Sequence, residues 1–196
     1  MRTAWGYDTD QLEPLLSTED FIGMTGGAHS GNSDRVRTSL EAASQAIRNY
    51  CGWHISPSLE CKAYPIGGGK IIKLPASYVS GISSVIENGK ELSSGQYEWR
   101  YDGLLRRACF KNWFGGWNGI EIAYTAGYDI DAVPDLAEAV KAITESVLAV
   151  AAGVISESAD GVSVSYSSNA SSIAAALTPS YKAALEIYKV VSSHGA

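Results

Sequence analysis

The stretch that decides the fold is residues 119–153, GIEIAYTAGYDIDAVPDLAEAVKAITESVLAVAAG. Its first part alternates, with Ile120, Ile122 and Tyr124 on one face, which is the period of a half-buried strand. A Gly127-Tyr128 turn follows. From Pro134 the period changes: Leu136, Val140, Ile143, Val147 and Val150 fall at i, i+4, i+7, i+11 and i+14, a single stripe along an α-helix. Pro134 suits the first helical turn and Gly153 the left-handed position just past the end. A stripe of this kind needs an apolar partner. One stands upstream, where Val36, Leu40, Ala43, Ile47 and Tyr50 repeat nearly the same spacing and Gly52 ends the run. Two long helices separated by a strand-rich segment predict an α+β fold, a helical bundle with a small antiparallel β module, sandwich or barrel, inserted between them.

The remaining segments fill in around this frame. Residues 1–16 show no period and read as an irregular arm. Ser17 or Thr18 caps a short helix with acids in its first turn. Between residues 57 and 127 about six short β-type runs are punctuated by turns, of which Asn88-Gly89 and Asp102-Gly103 are the clearest hairpin signals. The helical body then comprises 17–56 and 128–196. It includes a serine-rich segment, 156–176, and a last helix opened by Thr178-Pro179.

Composition narrows the function. A chain of 196 residues with 45% hydrophobic and 18% charged residues can bury roughly 70% of its unfolded surface. No apolar run reaches the ~20 residues needed to cross a bilayer, and residues 1–16 carry no apolar leader, so a soluble, non-secreted chain without membrane contact is expected. Three cysteines, Cys51, Cys61 and Cys109, cannot all pair, which fits a reducing compartment. The net charge of −6 is unevenly distributed. Residues 61–111 hold eight Lys/Arg against four Asp/Glu, net +4; the rest holds seven against seventeen, net −10. An acidic balance argues against a dedicated nucleic-acid binder, whose affinity comes largely from phosphate neutralisation.

No chemical motif is complete. Gly67-Gly68-Gly69-Lys70 lacks the Ser or Thr after the lysine and the first glycine of a phosphate loop, so a flexible hairpin loop is expected. Cys51-Gly52-Trp53-His54 with Cys61 and Cys109 holds zinc-ligand types but only one short-spaced pair, so the thiols are expected as buried hydrophobes and no metal or other cofactor is expected. There is no nucleophile elbow, and Asp129, Asp131, Asp135 and Glu138 cluster where a helix start collects acids anyway. Trp113, Phe114 and Trp117 beside Arg106, Arg107 and Lys111 fit a β-module core or an interface anchor better than a stacking platform.

In order and spacing, Asp34 through Tyr50-Cys51-Gly52-Trp53, Leu74-Pro75 with Tyr78-Val79-Ser80-Gly81-Ile82, Ile120 through Thr125-Ala126-Gly127-Tyr128, Pro134-Asp135-Leu136, and Ser156-Glu157-Ser158 through Val162-Ser163-Val164-Ser165-Tyr166 resemble the head-tail connector (adaptor) proteins of long-tailed double-stranded-DNA phages and prophages. That resemblance covers most of the chain beyond residue 16. It implies a non-enzymatic protein of the virion neck, assembled in the host bacterial cytoplasm. Such a protein binds the portal, forms a ring oligomer such as a dodecamer, extends the channel through which double-stranded DNA passes non-specifically, and supports a stopper or tail-completion protein. The alternatives are a carbohydrate-binding or tail-tip β module using residues 113–117, and, more remotely, a hydrolase using the acids at 129–138. Under the connector reading, Asp135, Glu138 and Glu145 are candidates to line the channel, where DNA should meet repulsion. Val162, Val164, Tyr166, Trp113 and Trp117 are candidate assembly residues.

Alternation of Val162, Val164 and Tyr166 with serines fits a strand that pairs with a neighbouring copy. The segment 156–176 is too poor in apolar side chains to offset about 1–2 kcal/mol of backbone entropy per residue, so it is expected to be mobile in the free subunit. Hydrogen exchange should find rapid exchange from Gly161 to Ser167 in the free subunit and protection in the ring; equal protection in both states contradicts this.

Overall fold

The computed structural model describes residues 3–9, 12–151, 156–159, 162–165 and 177–190, with side chains for those outside 150–176. The fold is α+β, and among the described residues every strand pairing is antiparallel. The chain divides into two compact units. One is built from Met1–Leu12, Cys51–Asp129 and Tyr188–Ala196, the other from Glu13–Tyr50 and Ile130–Ile187.

The first unit is organised on the strand at 120–126. Its alternate residues Ile120, Ile122, Tyr124 and Ala126 are fully buried, as the alternation requires. With strands numbered in chain order, β1 is Tyr7–Asp8, β2 Leu59–Ala63, β3 Ile71–Lys73, β4 Val79–Glu87, β5 Lys90–Glu91, β6 Tyr97–Trp99, β7 Leu104–Arg107 and β8 Ile120–Ala126. They form a five-stranded sheet, β1-β2-β8-β4-β5, and a three-stranded sheet, β3-β7-β6. The pairing of β4 with β8 shifts register between Val79 and Gly81 and between Ile82 and Ser84. Asn88 and Gly89 both take positive φ, 49° and 74°, as a two-residue type I′ hairpin demands. Gly103, at φ 76°, makes the turn between β6 and β7.

Part of the segment expected as an irregular arm is β1, the edge strand paired to Ala63 and Lys62. Two residues are too few to show a period, so the strand left no alternating signal. Its anchor is Tyr7, 1% exposed. The Tyr7 hydroxyl donates to His54 Nδ1 at 2.8 Å and accepts from the His54 backbone N–H at 3.0 Å, while His54 Nε2 lies 2.9 Å from the Ala126 carbonyl. A carbonyl can only accept, so Nε2 carries a proton; in the neutral ring Nδ1 is then the acceptor of the Tyr7 hydroxyl. Gly127 allows the approach: a Cβ there would lie 2.2 Å from the Pro57 carbonyl oxygen and 2.9 Å from His54 Nε2. Nearby, Trp53 Nε1 donates to the Tyr188 carbonyl at 2.6 Å.

In the second unit α1 spans Thr18–Met24, α2 Ser33–Cys51, α3 Pro134–Ala151 and α4 Pro179–Leu185. Ser17 caps α1 by accepting from the Asp20 N–H at 3.0 Å. The α2 stripe Val36, Leu40, Ala43 and Ile47 is fully buried, and Tyr50 is half-buried. Two polar residues on that face, Ser44 and Arg48, are buried because they hold the preceding segment: Ser44 Oγ accepts from the Leu15 N–H at 2.9 Å and Arg48 donates to the Glu13 carbonyl at 2.7 Å. On α3, Leu136, Val140 and Ile143 are buried with Ala139, Thr144 and Leu148. Val147 is only half-buried. Gly153 and the Val150 side chain lie outside the described residues. Arg35 of α2 donates to the Leu148 carbonyl of α3 at 2.9 Å. The last helix ends at Leu185, and a 3-10 turn carries the chain through Tyr188. Within 156–176, Ser156–Ala159 (β9) and Val162–Ser165 (β10) pair as an antiparallel ribbon.

Two tyrosines give a contrast. Tyr7→Phe removes both hydrogen bonds to His54 and should lower stability by about 1–3 kcal/mol. The Tyr124 hydroxyl is buried with no hydrogen-bond partner among the described residues, and burial, with Cys61 and Tyr7 beside it, pushes its pKa far above the usual tyrosine range. Tyr124→Phe should therefore be neutral or stabilising in thermal denaturation, because an unpaired buried hydroxyl is a cost.

Candidate interaction surfaces

Of the glycines at 67–69, Gly67 serves packing. A Cβ on Gly67 would lie 1.9 Å from the Phe114 carbonyl oxygen, and the Gly68 N–H that a phosphate would need is given to the Trp113 carbonyl at 3.2 Å. The Trp113 N–H returns a bond to the Gly69 carbonyl at 2.8 Å. Cys51, Cys61, Trp53 and His54 are all buried, Cys109 is exposed, and among the described residues no three of His, Cys, Asp and Glu gather as metal ligands.

The loop from 108 to 119 is held from behind and presents aromatics in front. Trp113 is 2% exposed, with the Arg107 guanidinium 5.8 Å over its ring. Glu87 Oε2 lies 3.3 Å from Arg107, and Glu87 Oε1 accepts the Phe114 N–H at 2.8 Å. Arg107 also donates to the Gln96 carbonyl at 2.8 Å. On this support Cys109, Phe110 and Asn118 all take positive φ, 58°, 57° and 56°. Residues other than glycine held there cost of order 1–3 kcal/mol each, which the surrounding contacts must offset. In front, Phe110 is 73% exposed and Trp117 87% exposed, with Phe114 partly so. Arg106 lies 5.3 Å over the Phe110 ring and bonds Glu98 at 2.7 Å. A glycan platform built on Trp113 is thereby weakened, since its ring face is inside the subunit.

The candidate channel residues Asp135, Glu138 and Glu145 are exposed. At about 100° per residue they fall within an arc of about 80° on α3, roughly opposite the buried stripe. Lys141 pairs with Glu138 at 2.6 Å. Near the start of α3 an open groove of about 380 Å³ is lined by the apolar Leu16, Met24, Ile130 and Ala137 and by the exposed acids Glu19, Asp20 and Asp131. The sequence offered no sign of this groove, because its walls come from distant segments. Val162 and Val164 stand opposite Ala159 and Glu157 in the β9-β10 ribbon, which is a sheet of its own, and Tyr166 lies outside the described residues.

No family model matches the chain, and no curated protein matches it. Solved structures do. A chain in the neck of a native gene transfer agent (GTA) particle, computed with C12 symmetry, is similar with a TM-score of 0.60 at 16% identity, over 96% of this chain and 98% of that one. The neck of an empty GTA particle, computed with C6 symmetry, gives 0.58 at 17% identity over 96% and 98%. The virion of the native GTA particle gives 0.59 at 17% identity over 97% and 98%. The fold is one found in particle necks. At such identities the likeness is one of architecture, and it spans both units.

The two tryptophans of the loop should separate cleanly. Trp113→Ala should cost about 3–5 kcal/mol in chemical denaturation, as the loss of a buried aromatic does, whereas Trp117→Ala should stay within about 0.5 kcal/mol.

Proposed function

We propose that the chain is a head-tail connector (adaptor) of a phage-like particle, a non-enzymatic neck protein. The observation that carries this reading is the near full-length likeness, 96% of this chain, to chains of GTA necks computed with C12 and C6 symmetry. In this reading copies of the chain form a ring, a dodecamer being the size that the C12 neck suggests. The ring binds the portal on one side and a stopper or tail-completion protein on the other. It assembles in the host bacterial cytoplasm and resides in the virion neck. Trp113 and Trp117, the first as buried support and the second as exposed anchor, serve assembly, as do Val162, Val164 and Tyr166 by adding the β9-β10 ribbon to a neighbouring copy.

Asp135, Glu138 and Glu145 face the lumen in this reading. DNA driven through a channel lined with lysines would be held at each phosphate; a carboxylate lining lets it slide. Two experiments follow. In size-exclusion chromatography with the portal protein of its own particle, the chain should co-elute as a ring complex, and failure to associate overturns the connector reading. The isolated chain should bind duplex DNA weakly at physiological salt, and reversing the three acids to lysine should raise affinity and steepen its salt dependence. Tight, salt-dependent binding by the unaltered chain contradicts the acidic lining.

A further inference from the structure

We propose that copies join head to tail, the exposed aromatic loop of one subunit seating in the acid-lined groove of the next. This rests on the ring reading above and goes beyond it by naming the two surfaces that meet. Phe110 and Trp117 are among the most exposed large apolar side chains described. Each can bury of order 150–250 Å² of aromatic surface in a contact. The loop is also pre-formed. Consecutive left-handed residues at Cys109 and Phe110, with the buried Trp113, Arg107 and Glu87 behind them, hold it in one shape, which lowers the ordering cost of binding.

Charge selects the occupant. Lys111 flanks the loop within a segment of net +4, beside Arg106, which is already shared with Glu98, while the groove is lined by Glu19, Asp20 and Asp131 together with the apolar Leu16, Met24, Ile130 and Ala137. Its volume, about 380 Å³, is in the range of sites that take a small ring system. Two surfaces on one chain that match in apolar character and oppose in charge form a heterologous contact between copies. Repeated with a closing rotation, such a contact generates a ring. The charges steer the encounter and the aromatics anchor it.

A disulfide test reads the contact directly. Cys109 sits in the loop and is exposed, while Cys51 and Cys61 are buried. In full-length chain assembled with its portal, Glu19→Cys should cross-link to the native Cys109 of the neighbouring copy under mild oxidation, giving a ladder of covalent oligomers that Cys109→Ser abolishes. A second arm uses Phe110→Ser with Trp117→Ser, both at exposed positions, so the unfolding temperature of the subunit should hold while ring formation is lost. Rings without the ladder, or rings formed by the double variant, overturn this contact and leave the ring reading standing. Absence of rings from the unaltered chain overturns both.

Discussion

The β-rich unit depends on one buried imidazole. His54 holds the Tyr7 hydroxyl on one side and the Ala126 carbonyl on the other, joining the N-terminal edge strand to the end of the central strand β8. Nε2 carries a proton toward the Ala126 carbonyl, and Nδ1 pairs with the Tyr7 hydroxyl. Each partner is fixed in turn: Tyr7 by pairing with Ala63, Ala126 by pairing with Leu59 and Val79. The same corner accepts a strained Ile55 at φ 66°, held by the Tyr128 N–H on its carbonyl at 2.8 Å. A histidine that looks like half of a metal pair is therefore a structural cross-brace.

What could be read from the amino acids followed from periodicity. Ile120, Ile122 and Tyr124 alternate because one face of β8 is buried, and Val36, Leu40, Ala43 and Ile47 recur because one face of α2 is. Asn88-Gly89 and Gly103 marked hairpins because their φ values demand it. The failures have equally physical causes. Tyr7–Asp8 is too short to show a period. Ser44 and Arg48 break the apolar stripe of α2 because they carry hydrogen bonds to Leu15 and Glu13, far away in the chain. Leu148 is buried where Val147 was expected, a shift of one position that a stripe of small and branched residues does not resolve.

The surfaces were less legible than the core. Trp113 and Trp117 are four positions apart in one loop and looked equivalent, yet one is buried under Arg107 and the other stands 87% exposed. In that loop Gly119 leaves room for the Phe114 ring and Gly116 takes a φ of 136°, which accounts for two of its glycines. The groove bounded by α1 and the start of α3 is assembled from residues distant in sequence, so no local pattern announces it. Asp135, Glu138 and Glu145, in contrast, could be placed on one exposed face from spacing alone.

In the proposed reading, function resides in the surfaces that meet other subunits. The most direct measurement is electron microscopy of the full-length chain mixed with the portal protein of its own particle. The account predicts a coaxial ring of copies beneath the portal, with the acidic face of α3 toward the lumen. Portal particles with no added density, or added density without a central channel, would contradict it.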